Sequence, residues 1–349
     1  MGVGAEKSAV DIKVSVIIVN WNGKQHLSAC LDSISTQTYR DYEVILVDNG
    51  SEDRSVEFVR GNYPWVSVIP LPENRGFAEG NNTGFAKASG EYLVTLNNDT
   101  EVEPLWLEEL VRVADTYPDV GMVASRICSY EDHDRIDSLG VKICVDGMSR
   151  GAHRLQTFST IALDKVEEVL LPSACAALYK QRMLAEIGFF DEDFFAYCED
   201  TDLGMRGRLT GWRALLAPDA VVYHKYSQTG GTFSPLKIYL VERNHYWVAF
   251  KTFPIVCILM LPLTTIRRYM EQMRLILLSR GSGKDFAVSK SKNACAIAFG
   301  RGSVDALKMF PKMWTKRRQL ARVKRLRERD LRKLLYTYRL SFRELLDAR

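Results

Sequence analysis

Polar and apolar positions alternate between two periods over the first hundred residues. Val14–Val19 (VSVIIV) is a charge-free β-branched run, the pattern of a strand buried on both faces. His26–Ile34 follows with Leu27, Leu31 and Ile34 at helical spacing. Tyr42–Val47 predicts a second buried strand, Ser55–Arg60 a helix, Val66–Leu71 a third strand and Gly76–Ala88 a helix. Tyr92–Leu96 predicts a fourth strand, Trp106–Thr116 an amphipathic helix, and Val120–Ala124 another strand. Strands alternating with helices at this rhythm predict a parallel sheet covered on both faces. Cys128–Lys165 mixes charge, Gly and short apolar pieces, which predicts loops and a small antiparallel element. Beyond it, strands are expected at Ala174–Tyr179, Trp212–Leu216 and Ala220–Tyr223, with helices at Arg182–Ile187 and Thr201–Leu209.

After Gly230 the pattern changes. Thr252–Ile266 is charge-free but broken by Pro254 and Pro262, and a spanning helix needs about 20 apolar residues. It reads either as a buried helix or as one lying in a membrane interface, since Arg267 and Arg268 follow at once. Lys308–Lys333 carries Met309, Met313, Leu320, Val323, Leu326, Leu331 and Leu334 in a helical register among basic residues. This predicts either a solvated basic helix or a membrane-surface one.

At 349 residues, the chain suits one large domain with an extension, or two domains. Its 46% hydrophobic and 26% charged residues exclude wholesale disorder and a polytopic membrane protein. The net charge of +4 is uneven, because residues 301–349 hold 16 Lys+Arg against 5 Asp+Glu. An acidic body with a basic tail implies a membrane surface or a nucleic acid as partner. No aromatic-lined groove or recognition motif accompanies the charge, so nucleic acid is not expected. Seven scattered cysteines without a C-x-x-C pair give no zinc site or disulfide framework, which suits a reducing cytosol. The N-terminus has no apolar signal region, and MGVGAEKS matches a myristoylation start only loosely.

In a doubly wound sheet, ligands bind beyond the carboxyl ends of the strands. There stand Asn20, Asn22 and Gly23 after the first strand, Asp48 and Asn49 after the second, Asn74, Arg75 and Gly76 after the third, and Asn97, Asn98 and Asp99 after the fourth. Each cluster alone also suits a turn or a helix cap. Together they predict a polar crevice. No P-loop is present, and no G-x-G-x-x-G follows the first strand. Gly76, Gly80 and Gly84 leave one smooth helix face, for a partner or for tight packing on the sheet.

SVIIVNWNG, VILVDNGSEDRS and ENRGFAEGNNTGFAKASGEYLVTLNNDTEV, followed by FFAYCEDTDLGMR and VVYHKYSQT, resemble the running pattern of glycosyltransferase family 2, and closest its rhamnosyl- and galactofuranosyltransferase-like subgroup. The resemblance spans about residues 13–250 and implies an α/β GT-A fold. It leaves 1–12 as a flexible N-terminus and 251–349 as a basic, amphipathic helical extension that associates with membranes. It implies an inverting enzyme using a nucleotide sugar, UDP- or dTDP-linked, and Mn²⁺ or Mg²⁺. The family's DXD motif falls on Asn97-Asn98-Asp99, where an amide replaces the first carboxylate. Asp99 then becomes the main acidic metal ligand, with His224 and Asn97 as further ligands. Imidazole favours Mn²⁺.

The same resemblance gives Asp48 to the base and ribose, with Asn20 and Asn22 beside it. Asn74, Arg75, Gly76, Asn82 and Asn98 flank the nucleotide. Arg75 suits either phosphate neutralisation or a surface position. Asp200 matches the catalytic base, which takes the acceptor hydroxyl proton. A carboxylate there is equally an ordinary helix cap. Glu199 and Asp202 hold the acceptor or the helix, with Arg206 pairing to this segment. The implied acceptor is a glycan or a polyprenyl-linked sugar, and the implied place is the cytoplasmic face of the cell membrane, in cell-surface polysaccharide assembly. A sugar-phosphate nucleotidyltransferase and a non-catalytic membrane-docked homologue are the alternatives. The first usually carries a Gly-rich basic loop after its first strand, whereas WNGKQH has one Gly and one Lys.

Overall fold

Charge-free β-branched runs can be buried on both faces only if helices cover both sides of the sheet they form. The computed structural model, which describes residues 12–163, 165–225, 234–278 and 292–346, has that arrangement. β1 (Val14–Asn20), α1 (Lys24–Ser35), β2 (Tyr42–Asp48), α2 (Ser55–Asn62), β3 (Ser67–Pro70), α3 (Gly76–Phe85) and β4 (Tyr92–Asn97) alternate as expected. Then come β5 (Thr100–Val102), α4 (Trp106–Thr116), β6 (Val120–Ser129), β7 (Ile136–Ser138), β8 (Val141–Ile143), β9 (Ser149–Gly151), β10 (Glu167–Val169), β11 (Ala176–Lys180), α5 (Gln181–Ile187), α6 (Glu199–Leu209) and β12 (Arg213–His224). The chain continues with α7 (Pro235–Thr252), α8 (Ile255–Leu277), α9 (Lys292–Lys308), α10 (Phe310–Ala321), α11 (Glu328–Thr337) and α12 (Phe342–Leu346). The N-terminal myristoylation-like stretch, and the end of the VVYHKYSQT motif, lie outside the described residues.

The main sheet runs β10-β12-β6-β11-β4-β1-β2-β3, with β5 paired to β12 and β7 to β6. β3, β2, β1 and β4 are parallel. β11 enters antiparallel between β4 and β6, so the sheet is mixed rather than wholly parallel. β12 is parallel to β6. The carboxyl ends of β1, β2, β4 and β12 and the amino end of β11 therefore share one edge. β1 lies between β2 and β4, which puts the topological switch point between the ends of β1 and β4.

One core cluster packs α1 and α4 on one face through Leu27, Leu31, Trp106 and Leu110. The other packs α3, α5 and α6 through Ala78, Phe85, Met183 and Leu203. A Cβ on Gly84 would collide with Ile17, and one on Gly80 with Val19 at 2.8 Å, so the glycine face of α3 serves tight packing on the sheet.

Three expectations need correction. The strands expected at Trp212–Leu216 and Ala220–Tyr223 are one strand, β12, because a shift in register between Ala217 and Val221 absorbs Pro218 as a bulge. The single helix expected over Lys308–Lys333 breaks into α10 and α11. Most of its apolar side packs inward, since Met313, Leu320 and Leu331 are buried in a third cluster with Phe194, Met205, Trp247 and Phe253. Met309, Leu326 and Leu334 pack against that cluster, and Val323 is exposed. That cluster draws on residues both before and after 250. The Thr252–Ile266 stretch is buried on one side and exposed on the other. Leu261 and Thr265 are buried, while Ile255, Val256, Leu259, Met260, Leu263 and Ile266 are exposed.

Candidate active site

The parallel strands end in side chains that bond to one another across the shared edge. Asn20, fully buried at the end of β1, donates through Nδ2 to Asp48 Oδ2 at 3.0 Å, and its Oδ1 accepts from Asn98 Nδ2 at 2.7 Å. Asp48 Oδ1 accepts from the Ser51 amide at 3.0 Å. Gly23 is needed beside them, since a Cβ there would collide with Asn98 and Asn20. Asn22 is exposed in a left-handed conformation (φ 49°), and its Oδ1 accepts from the Glu52 amide at 2.8 Å. Asn74 Oδ1 accepts from Asn49 Nδ2 at 3.0 Å and from the Gly76 amide at 2.9 Å. These residues form one hydrogen-bonded rim. The Arg75 amide donates to Asn49 Oδ1 at 2.9 Å, but its side chain is exposed and pairs with Glu79 at 2.9 Å on the surface of α3.

At the other end of the edge, Asp99 and His224 meet, with Asp99 Oδ1 3.4 Å from His224 Nε2. Both are buried, as is Asn98, while Asn97 is half-buried. His224 Nδ1 lies 2.8 Å from Asp137 Oδ2 on β7, and Asp137 also pairs with Arg154 at 3.1 Å. Burial opposes the charge of Asp99, but the hydrogen bond and charge of His224 outweigh it and hold the carboxyl below its ordinary value. Burial likewise opposes the imidazolium of His224, yet Cys175, Asp137 and Asp99 around it raise its pKa well above the ordinary value. An ionised Asp137 can only accept, so Nδ1 carries a hydrogen and Nε2 is the nitrogen turned to Asp99. Among the described residues no set of three His, Cys, Asp or Glu side chains is grouped to hold a metal. Asp99 and His224 form a close pair, with Asp137 hydrogen-bonded to the far side of the imidazole.

Asp200 begins α6. Its Oδ2 accepts from the Ala174 amide at 3.3 Å, and its Oδ1 accepts from the Thr201 amide at 2.6 Å. Cys175, next to Ala174, bonds through its carbonyl to the Asn97 amide at 2.8 Å. The segment 173–175 therefore joins Asp200 to the end of β4. Burial raises the Asp200 carboxyl above its ordinary value against the hydrogen bonds from Ala174 and Thr201. Glu199 is pushed well up by burial and by Asp200, and its Oε2 is buried without a hydrogen-bond partner. Asp202 belongs to the scaffold, bonded to Arg206 at 2.8 Å and Lys251 at 2.6 Å, the former pairing as expected from spacing.

The loop before Asp200 is strained. Phe195, Tyr197 and Cys198 all adopt left-handed φ of 64–67° without being glycine, at a cost of about 1–2 kcal/mol each. Asn244 on α7 holds it. This fully buried amide donates to the carbonyls of Phe194 (2.9 Å), Ala196 (2.9 Å) and Tyr197 (2.7 Å). Arg243 adds bonds to the Asp193 and Phe194 carbonyls. Asn82 works from the other side, giving its whole side chain to Phe190 and Glu192. Gly76 (φ 86°) lets the loop approach, since a Cβ there would meet the Phe195 carbonyl at 2.5 Å. Sequence reading missed Asp137 and Asn244. Each acts through a contact formed only by long-range folding. Asn244→Ala leaves up to three buried carbonyls without a donor and is expected to cost about 2–3 kcal/mol in denaturant unfolding.

The family model described as Glycosyl transferase family 2 matches residues 15–188. The chain belongs to glycosyltransferase family 2. It is 27% identical over 264 residues to an N-acetylglucosaminyl-diphospho-decaprenol L-rhamnosyltransferase of Mycobacterium tuberculosis, covering 66% of this chain and 85% of that protein. It is 29% identical over 222 residues to the uncharacterized glycosyltransferase YwdF of Bacillus subtilis, covering 63% and 76%. Among solved structures, Staphylococcus aureus TarS 1-349 in complex with UDP aligns at a TM-score of 0.53 and 18% identity over 93% of this chain and 91% of that one. The mannosyltransferase PcManGT of Pyrobaculum calidifontis, with GDP-Man and Mn²⁺, aligns at 0.52 and 20% over 89% and 85%. GalNAc-T7 with UDP, GalNAc and Mn²⁺ aligns at 0.56 and 18% over 69% of this chain, which spans about half (48%) of that protein. These likenesses establish a GT-A-like α/β fold with a C-terminal helical region, and the enzyme is a glycosyltransferase that uses nucleotide sugars.

Proposed function

We propose that this glycosyltransferase inverts configuration as it moves a sugar from a UDP- or dTDP-sugar to a hydroxyl of a polyprenyl-diphosphate-linked glycan at the cytoplasmic face of a membrane. The observation that carries the reading is the shared sheet edge. It gathers a buried Asp99–His224 pair, backed by Asp137, and a separate carboxyl of raised pKa, Asp200. In this reading Asp48, Asn20 and Asn22 form the nucleotide rim. Asn74, Gly76 and Asn82 shape the adjoining loops, and Asn98 links the two halves. The decaprenol acceptor named for the mycobacterial relative supports the choice of acceptor class.

Asp99 and His224 fit a divalent cation that a diphosphate and water complete, since the chain offers a carboxylate and an imidazole already oriented by a second carboxylate. Asn97 has only a weak amide oxygen to add. Bound Mn²⁺ or Mg²⁺ would neutralise the charge that builds on the leaving diphosphate. The acceptor oxygen attacks the anomeric carbon, its bond to the diphosphate oxygen breaks, and Asp200 takes the hydroxyl proton. Glu199, whose own Oε2 is buried without a hydrogen-bond partner, holds the acceptor in this reading. The Asp137→Asn variant should bind Mn²⁺ about 10–100-fold more weakly by calorimetry while keeping its fold, because it loosens the His224 ring without removing a ligand.

The reading is tested by thermal shift with UDP-, dTDP- and GDP-sugars, each with and without Mn²⁺. A donor at a hundred times its Kd should stabilise the protein by about 2.7 kcal/mol. Stabilisation by none of them would remove the donor assignment.

A further inference from the structure

α8 is 23 residues long, roughly 34 Å, and its two faces differ in kind. The inner face is locked by a buried arginine. Arg268 Nε bonds to Asp146 Oδ2 at 2.6 Å, and its Nη2 lies 3.2 Å from both oxygens of Glu242 on α7. A buried pair of this kind fixes rotation about the helix axis, because any other face would leave the guanidinium unpaired. The outer face is consequently defined too. It presents Leu259 (73% exposed), Leu263 (61%) and Leu277 (79%), with Ile266, Met270 and Met273 between them at steps of three and four. Scattered exposed apolar residues need no explanation, but a stripe along a whole helix does.

Beside this stripe is a cavity of about 470 Å³ between α8 and the α12 region. Arg267 and Arg274 line it from α8, and Arg339 and Arg343 from the opposite wall, with Glu271 the one acidic lining residue. The opposite wall is tied to the body, since Ile143 on β8 exchanges backbone hydrogen bonds with Tyr338 and Leu340, and Arg150 donates to the carbonyls of Glu344 and Leu345. A second, apolar hollow lined by Met270, Met273 and Leu277 shares Arg274 and Leu278 with the first. Four arginines lining one cavity beside an apolar surface, with Glu271 3.8 Å from Arg274, match a phosphate joined to a hydrocarbon chain. Among the described residues no helix is long and apolar enough to cross a membrane, so this surface would lie on a bilayer rather than in it.

We propose that the outer face of α8 docks on an anionic phospholipid leaflet, with the arginine-lined cavity taking a lipid phosphate while the Leu259–Leu277 stripe enters the acyl boundary. This deepens the membrane part of the proposed function and rests on it only for its purpose. The surface is α8 with its neighbouring arginines, not the basic helices α10 and α11, whose apolar sides pack mostly inward.

The test is flotation of the full-length protein with vesicles of phosphatidylcholine alone or mixed equally with phosphatidylglycerol. The wild type should bind the mixed vesicles more tightly, and less so as salt rises. R267E/R274E should lose the preference for phosphatidylglycerol by roughly 30-fold, from about 1 kcal/mol for each of the two basic residues at the surface. L259D/L263D should lose the salt-resistant part of binding. Both variants should retain the wild-type melting temperature and its shift with Mn²⁺ and nucleotide sugar, so a failure of docking is separable from a failure of the transfer reading. The proposal falls if the wild type ignores mixed vesicles, or if folded variants bind them as well as the wild type does. It also falls if inorganic phosphate binds the cavity while vesicles do not, or if the apolar face proves to join two copies of the chain, seen as a dimer that L259D/L263D dissociates.

Discussion

Asp200→Asn is expected to bind donor normally and to lose about 10²–10⁴ in transfer rate, the usual cost of removing a general base. Asparagine keeps the shape and can still accept from the Thr201 amide, so α6 should start as before. The sign of the stability effect follows from the raised carboxyl. A folded-state pKa above the unfolded one means the native state prefers the proton, so ionised Asp200 costs stability at neutral pH. Asp200→Asn should therefore melt no lower than the wild type, and higher at neutral pH than at low pH relative to it. The wild-type rate should fall as pH drops through a midpoint above the ordinary aspartate range, because only the ionised carboxylate accepts a proton. Steady-state transfer assays across pH, with melting curves alongside, check both halves. A well-folded Asp200→Asn enzyme with near-normal turnover would remove Asp200 from the base role.

Asp99→Ala is expected to abolish Mn²⁺-dependent nucleotide binding in calorimetry, and His224→Ala to weaken it less. A carboxylate brings a full charge to the cation, whereas imidazole brings a neutral lone pair. The effect on the apo fold should run the other way. Removing Asp99 leaves His224 its bond to Asp137, whereas removing His224 leaves the buried Asp99 carboxylate without its histidine and Asp137 with Arg154 alone. His224→Ala should thus be the less stable variant and the tighter nucleotide binder of the two. Unchanged Mn²⁺–nucleotide affinity in Asp99→Ala would overturn the metal assignment.

What could be read in advance follows from the range of the interactions. β1, β2 and β4 were legible because a β-branched run buried on both faces has no other stable place. Their terminal Asn20, Asp48 and Asn97–Asp99 were legible as a crevice because parallel strands bring like ends together. β11 was legible as a strand but not as the antiparallel member, since its direction depends on the irregular chain between β6 and it. Asp137 sits in that irregular stretch, on a three-residue strand, 87 positions from the histidine it orients. No local pattern marks such a residue. Asn244 lies in α7 as one polar residue among many, and only the folded loop shows three carbonyls converging on it. The tail's charge was legible, but which helix turns its apolar side outward was not. Met313, Leu320 and Leu331 have the same periodicity as Leu259, Leu263 and Ile266, and only packing separates the buried set from the exposed one.

Inverting transfer from a nucleotide sugar can be tested by hydrolysis of the donor, without any acceptor. The donor that stabilises the protein is incubated with enzyme and Mn²⁺, and the nascent products are followed by proton NMR before the sugar mutarotates. Water then takes the acceptor's place at the anomeric carbon. An inverting enzyme should release free sugar of anomeric configuration opposite to that of the donor, together with nucleoside diphosphate, and Asp200→Asn should release neither. Sugar released with its configuration retained, or sugar 1-phosphate in place of free sugar, would contradict inverting transfer.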